Sequence, residues 1–348
     1  AGISASSAIL IEPFSGRVLY EKNAHEKRPM ASTTKIMTAL VATDMANPDE
    51  VLCVQGDCVK IQGASLYLEE KEELTLMDML YGLLLRSGND AAAAIGKHVA
   101  GDSSHFVSLM NRKAWELGMH NTNFANPHGL DDDEHYSTAA DMARLGAVFL
   151  QAPLLREICK TEEYVSRELT TGKVRLFINN NKLLARDPRA LGIKIGWTEN
   201  AGRCLVAAAQ VNGMELVAVV LDAPDLYTDV SKLFDYGFGK WRAQEFIPRG
   251  KVMDIVPVAQ GKAARVALTT AQPLNFPVTA AEAISYSVHL DAPVLLQAPI
   301  SPGQVVGKAL VTVEEYVIEI DLVAASPVRK KVGLWSRLVN WLHNWWQR

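Results

Sequence analysis

Ala31-Ser32-Thr33-Thr34-Lys35-Ile36-Met37 sets small hydroxyl residues directly ahead of an apolar run, residues 36–42, of helix-forming composition. The pattern predicts a helix from about Ser32 to Met45, stopped by Asn47-Pro48-Asp49. With Ser32 at its start, Lys35 lies one turn on, on the same face. A serine hydroxyl is a weak nucleophile until a neighbouring base takes its proton. A lysine amine kept neutral by burial or by other cations can be that base. The helix N-terminus adds N–H groups and positive potential, which suit an oxyanion and disfavour the ammonium form of Lys35. A Ser-x-x-Lys arises by chance about once in a chain of this length. A serine N-cap followed by a solvated lysine accounts for it as well, so the motif needs partners.

The chain has 348 residues, room for two domains, one of them large enough to hold a catalytic cleft. Hydrophobic residues at 49% and charged residues at 21% describe a globular protein, and a net charge of −4 gives no global attraction to nucleic acid. There is no Walker loop and no dinucleotide fingerprint. Gly303-Gln304-Val305-Val306-Gly307-Lys308 falls one residue short of P-loop spacing, in strand-like sequence, and reads as a turn. Ala1-Gly2-Ile3-Ser4 leads straight into a strand pattern. The expectation is either an intracellular protein or one whose signal was removed ahead of this numbering. Cys53, Cys58, Cys159 and Cys204 make neither a Cys-x-x-Cys motif nor two zinc-binding pairs. Free thiols are expected, with a Cys53–Cys58 disulfide as the alternative.

Working outward from the opening motif, residues 7–12 and 17–20 are short apolar runs around Pro13-Phe14-Ser15-Gly16, a β-hairpin. Residues 51–68 are strand-like and irregular. An apolar helix over residues 74–85 breaks at Arg86-Ser87-Gly88-Asn89-Asp90, and a second helix over residues 91–99 starts at once. The break places its side chains at a helix terminus, whether for chemistry or as a capping turn. A helix over residues 106–117 is followed by a polar loop carrying His120, His128, His135 and the acidic run Asp131 to Glu134. It lacks the helical His-x-x-x-His spacing, and clustered Asp, Asn, Pro and Gly is turn chemistry, so it reads as a loop rather than a metal site. Ser137 to Asp141 caps a helix reaching Leu150. A polar stretch, Asn179-Asn180-Asn181-Lys182, precedes strands over residues 191–196, 203–210 and 215–221, the last two joined by Asn212-Gly213, the strongest hairpin signal in the chain. Residues 225–236 read as a helix returning over that sheet.

After Trp241 the texture changes. Short β-rich runs with Pro/Gly turns fill residues 245–323, a separate small β-sandwich or barrel without candidate catalytic groups. At the end, Leu334, Leu338, Trp341, Leu342 and Trp345 recur at helical spacing with polar residues between them. This segment, residues 331–348, is too short and too polar to span a bilayer. Its tryptophans and basic charge suit an amphipathic helix lying on an anionic membrane surface. A helix docked on its own β-domain or on another subunit is the alternative. The domain division expected is 1–243, 244–325 and 326–348.

Three polar elements stand out in order: Ser32-x-x-Lys35 at a helix start, Ser87-Gly88-Asn89 in an interhelical turn, and Lys194-Ile195-Gly196 on a strand. Together they resemble the S-x-x-K, S-x-N and K-T-G triplet of the penicillin-binding proteins and class A β-lactamases. The surrounding stretches, Ala-Ser-Thr-Thr-Lys-Ile-Met-Thr-Ala, Leu-Arg-Ser-Gly-Asn-Asp-Ala-Ala, Asn-Pro-His-Gly-Leu-Asp and Gly-Arg-Cys-Leu-Val-Ala-Ala, are similar to the low-molecular-mass D-alanyl-D-alanine carboxypeptidases. Essentially the whole chain shares the resemblance. It implies an α+β fold: a penicillin-binding, serine β-lactamase-like catalytic domain, with an antiparallel sheet and helices on both faces, then a small all-β domain and an amphipathic helix.

The same resemblance implies roles. Ser32 would be the acylated nucleophile and Lys35 its base. Ser87 would relay the proton to the leaving D-alanine, and Asn89 would hold the substrate amide and help place Lys35. Lys194 would attract the substrate's carboxylate and depress the pKa of Lys35. The oxyanion hole would be the N–H groups of Ser32 and Trp197, beside Gly196. No cofactor and no metal is implied. The partners would be peptidoglycan stem peptides and β-lactams, met at the extracytoplasmic face of the membrane. Ile195 departs from the pattern, since threonine usually stands there and its hydroxyl bonds the substrate carboxylate; Thr198 is a candidate to compensate. Slowed carboxypeptidase activity and slow β-lactam acylation follow. A β-lactamase would need a deacylating glutamate, and Glu162 and Glu163 lack the local pattern. A D,D-endopeptidase, an esterase and a non-catalytic wall-binding scaffold are the other readings.

Overall fold

The computed structural model describes residues 2–331. In it β1 (Ser7–Ile11) and β2 (Val18–Lys22) form the first hairpin. A tight 3-10 turn, Ala31–Thr34, then runs directly into α1 (Lys35–Met45), so Ser32 stands in the turn and Lys35 on the helix's first position. Residues 51–68, expected as strand-like, contain only β3 (Val51–Cys53), which pairs with β4 (Glu73–Thr75), and one further 3-10 turn, Cys58–Lys60. Beyond Ile61 the chain is fixed by side-chain bonds in place of a ladder. The buried Asp90 carboxylate accepts from Ser65 Oγ and from the N–H groups of Leu66 and Leu68.

α2 (Leu76–Tyr81) starts at a Thr75/Asp78 capping box and loosens into a π turn, Gly82–Arg86. Then come α3 (Asn89–Ala100), α4 (Ser103–Glu116), α5 (Ala139–Gln151) and α6 (Pro153–Lys160). The last of these, begun by a proline in its first turn, has no counterpart in the sequence reading. Neither has the hairpin of β5 (Glu163–Arg167) and β6 (Val174–Ile178), whose outward residues Val165, Leu176 and Ile178 are half exposed. With apolar side chains on both faces, that ribbon shows no alternation to detect. α7 (Leu183–Arg186) leads to β7 (Ala190–Thr198), β8 (Gly202–Val211), β9 (Met214–Leu221) and α8 (Leu226–Lys240).

The main sheet is antiparallel with order β2-β1-β9-β8-β7. Its centre is buried on both sides, which explains the unbroken apolar runs of β8 and β9. In β9, Val217, Val219 and Leu221 enter the core shared with α1 and α5, while Leu216, Ala218 and Val220 enter the one shared with α8. Asn212 and Gly213, at φ +49° and +82°, close the β8–β9 hairpin, both in the left-handed region that such a two-residue turn demands. β7 is the sheet's edge, and the turn carrying Ser32 packs against it. At Gly196 a Cβ would stand 2.7 Å from the Ser32 nitrogen, so only glycine allows the approach.

Two compact units divide the chain, Ala1–Trp241 and Arg242–Arg348. The second is all β in its described part. It comprises β10 (Arg242–Ile247), β11 (Val252–Ala259), β12 (Arg265–Thr270), β13 (Leu274–Val278), β14 (Tyr286–Asp291), β15 (Leu296–Gln297), β16 (Val305–Val313) and β17 (Tyr316–Ala324). A six-stranded sheet, β14-β16-β17-β12-β11-β15, and the pair β10-β13 enclose a core that includes Ile247, Phe276, Val311 and Ile320. Val328 and Lys330 still bridge to Ile300 and Gly261, so this unit extends past the expected end at residue 325. The amphipathic segment expected over residues 331–348 lies, beyond Lys331, outside the described residues. Within them no helix is long and apolar enough to cross a membrane. All four cysteines are free thiols, Cys53 exposed and the others buried.

Candidate active site

The three polar elements converge. A cleft of about 420 Å³ is lined by Ser32, Ser87, Ile195, Gly196 and Trp197 together with Ala64, Asn180, Lys182, Arg203, Asp225, Leu226 and Tyr227. Lys35, Asn89 and Lys194 lie beneath that surface, at 0%, 3% and 1% exposure. Lys35 Nζ is 2.9 Å from Ser32 Oγ, 2.7 Å from Asn89 Oδ1 and 2.5 Å from the His128 carbonyl oxygen. The Asn89 amide is oriented by its other end, which donates to the Gln62 carbonyl at 2.6 Å, so its oxygen must face Lys35.

The charge of Lys35 decides the direction of the Ser32 contact, since an ammonium would donate to all three oxygens. Asn89 Oδ1 and the His128 carbonyl only accept. A neutral lysine amine has two N–H groups and one lone pair; the two acceptors take the N–H groups, and the lone pair is left for the Ser32 hydroxyl hydrogen. The electrostatics favour that neutral form. Burial holds Lys35 well below the usual lysine range, the nearby Lys194 charge lowers it further, and Asp90 partly opposes both. Lys194 is itself pushed down to about 7 by burial, its Nζ donating to the Ile195 carbonyl at 3.0 Å.

Ser87 closes the π turn at φ +65°, a left-handed conformation that sets a buried serine at the cleft wall. The turn is wedged by Leu66, whose side chain occupies the space a Cβ would take at Gly82 and Gly88, 2.2 and 2.7 Å away. Thr198 is placed elsewhere than its suggested role requires. Its hydroxyl donates to Asp131 Oδ1 at 2.6 Å and accepts from the Ala201 N–H at 3.0 Å, and it is not among the residues lining the cleft. In this structure the Thr198 hydroxyl is engaged by Asp131 and the Ala201 N–H.

Several contributors had no assigned role in the sequence reading. The run Asn179 to Lys182 folds beside the π turn, with the Asn180 N–H donating to the Leu85 carbonyl at 3.0 Å, and this brings Asn180 and Lys182 to the cleft. Arg203 lies across the β7–β8 ladder from Trp197, its Nη1 donating to the Pro224 carbonyl at 2.8 Å. In the histidine loop His128 gives its carbonyl to Lys35 and His135 bonds Thr34 in the turn that carries Ser32, while His120 packs edge-on against Trp115. Clustered turn residues signalled a loop at this place, but not which carbonyl it would present.

Comparison with known proteins agrees along the whole length. Residues 1–225 match the D-alanyl-D-alanine carboxypeptidase family, peptidase S11, and residues 241–330 match the C-terminal domain of penicillin-binding protein 5. The chain is 33% identical to the D-alanyl-D-alanine carboxypeptidase DacF of Bacillus subtilis, over 98% of this chain and 90% of that protein. It is also 33% identical to a D-alanyl-D-alanine endopeptidase of Escherichia coli, over 74% and 81%. The fold superposes on penicillin-binding protein 5 from Haemophilus influenzae with a TM-score of 0.72 at 27% identity, covering 95% of this chain and 99% of that one. A mixed α+β domain followed by an all-β domain is the arrangement this chain shares with penicillin-binding protein 5, and the chain belongs to the D-alanyl-D-alanine carboxypeptidase family, peptidase S11.

Proposed function

We propose that this protein is an active serine carboxypeptidase that removes the terminal D-alanine of peptidoglycan pentapeptides. The observation that carries the reading is the Lys35 amine, with two obligate acceptors on its N–H groups and its third position on Ser32 Oγ. Ser32 Oγ attacks the carbonyl between the two D-alanines while its proton passes to Lys35 Nζ. The N–H groups of Ser32 and Trp197 take the developing oxyanion. Ser87 passes a proton to the leaving amine, and free D-alanine departs. Water then attacks the ester on Ser32 with Lys35 again as base, which releases the shortened peptide. A β-lactam, whose ring amide stands where the scissile amide would, acylates the same oxygen. Asn89 holds the substrate amide, and Lys194 supplies positive potential toward the substrate's carboxylate. The work takes place outside the cytoplasm, with residues 331–348 resting on an anionic membrane surface.

The test is incubation with a D-Ala-D-Ala-terminated pentapeptide and assay of released D-alanine, alongside mass spectrometry of the protein after long exposure to penicillin. Release of one D-alanine per peptide and a single covalent adduct on Ser32 are expected. Neither product, with the protein folded, overturns the reading and favours a wall-binding scaffold. Cleavage of cross-linked muropeptides with no D-alanine released from pentapeptide would favour the endopeptidase reading, which the match to an endopeptidase motivates.

Ile195 sets the efficiency. It lines the cleft and packs partly against the core under α8, with no hydroxyl to give. A carboxylate short of one hydrogen bond costs about 1–3 kcal/mol. Ile195→Thr is therefore expected to lower KM for the pentapeptide by about 5- to 160-fold, at that energy, with less change in kcat. An unchanged KM would mean that Arg203 or Lys182, the cations lining the same cleft, already satisfy the carboxylate.

A further inference from the structure

His135 lies outside the chemistry just described, yet two hydrogen bonds in series link it to the peptide group that carries the Ser32 N–H. It is 3% exposed, with Phe124 edge-on to its ring. The Ala125 N–H donates to its Nδ1 at 2.9 Å, so that nitrogen must be bare. The neutral ring then carries its hydrogen on Nε2, which lies 2.7 Å from Thr34 Oγ1 and donates to it. With a lone pair so occupied, the Thr34 hydroxyl hydrogen turns to the Ala31 carbonyl, 2.8 Å away. That carbonyl belongs to the peptide group whose other end is the Ser32 N–H.

The setting is rigid. Ala31 holds φ at +49°, in the left-handed region an alanine avoids unless its surroundings impose it. Gly129, at φ +87°, presses on the same carbonyl so closely that a Cβ there would stand 2.0 Å from the oxygen. Thr34 and Ala31 are 0% and 1% exposed, where a hydrogen-bond chain is strengthened by the low dielectric. Burial holds His135 down to about 4, with Lys35 adding to the effect and the carboxylates of Asp131 and Asp132 opposing it; His128 is the other titratable ring nearby. The ring thus stays neutral at working pH, with its donor fixed toward Thr34.

We infer that His135 is a positioning residue which, through Thr34 and the Ala31 carbonyl, aims the Ser32 N–H at the oxyanion. The inference rests on the acyl-transfer reading for its kinetic consequence. An N–H already aimed at where charge develops stabilises the transition state more than bound substrate. The loss on breaking the chain should therefore fall on the acylation rate constant and leave the prior binding constant unchanged.

The experiment measures both constants for a chromogenic β-lactam, and the Ser32 amide chemical shift by NMR, in full-length wild type, His135→Leu, His135→Gln, Thr34→Val and the double variant. His135→Leu and Thr34→Val are each expected to lower the acylation constant by about 10- to 100-fold, a fraction of what losing a whole oxyanion donor costs. The double variant should be no worse than either single one, since the two act in series. Glutamine can donate to Thr34 as the imidazole does and should restore most of the rate. The Ser32 amide resonance should move in the Leu and Val variants and return in the Gln variant. Full acylation rates in folded His135→Leu and Thr34→Val, or additive losses, overturn the inference. If His135→Leu fails to fold, Thr34→Val and His135→Gln decide it. A wild type that is never acylated refutes the carboxypeptidase reading instead, and the Ser32 resonance still decides whether His135 sets that N–H.

Discussion

Lys35→Met is expected to lower the rate of Ser32 acylation, by pentapeptide or β-lactam, by about 10³-fold or more, because it removes the amine positioned to take the serine proton. Methionine fills nearly the same volume without the amine, so binding should survive and kcat should carry the loss. Lys35→Arg should fail equally, since a guanidinium offers five donors and no lone pair. Acylation by the wild type should rise with pH through the lowered pKa of Lys35, as the neutral amine becomes the dominant form, and fall again above about 7 as Lys194 loses the charge offered to the substrate's carboxylate. The stability consequence has the same sign. Lys35 and Lys194 are both depressed in the folded state, so the unfolded chain binds more protons, and stability increases with pH. For Lys194 the window runs from about 7 up to the ordinary value of 10.5. In Lys35→Met the rise of melting temperature across that window should be shallower. Near-normal acylation by the Met variant would remove Lys35 from its role.

How much of this was legible in the sequence follows from the range over which each feature is determined. The helix beginning near Ser32, the Asn212-Gly213 hairpin and the two strands it joins are set by local pattern, and they are where that pattern puts them. The common site was suggested by the resemblance that Ser32-x-x-Lys35, Ser87-x-Asn89 and Lys194-x-Gly196 carry in that order, and Ser32, Ser87 and Gly196 line one cleft. Other features depend on partners distant in sequence. Residues 61–68 look like strand but are held by Asp90. Thr198 looks available but is taken by Asp131, 67 residues away. The Ala31 and Ser87 conformations, both left-handed in non-glycine residues, leave no compositional trace at all.

Asp90→Ala should produce the largest loss of stability, about 3 kcal/mol or more, read from the denaturant midpoint. The carboxylate is 1% exposed and accepts from Ser65 Oγ at 2.6 Å, from the Leu66 N–H at 2.9 Å and from the Leu68 N–H at 3.2 Å. Without it, two buried backbone donors lose their acceptor in a loop with no ladder to take them. Asp90→Asn should recover only part of this. One end of the amide is itself a donor and would face those N–H groups. The damage should reach the active site along the chain, because the same loop offers the Gln62 and Ala64 carbonyls that fix the Asn89 side chain and N–H. In the Asn variant a separate electrostatic signature follows. The Asp90 charge raises the pKa of Lys35, so neutralising it should move the acid limb of the acylation rate to lower pH even as the maximum rate falls. A purely structural role would lower the maximum and leave the limb in place. A limb that moves to higher pH would contradict the charge arrangement around Lys35, and an unchanged denaturant midpoint would contradict the loop's dependence on Asp90.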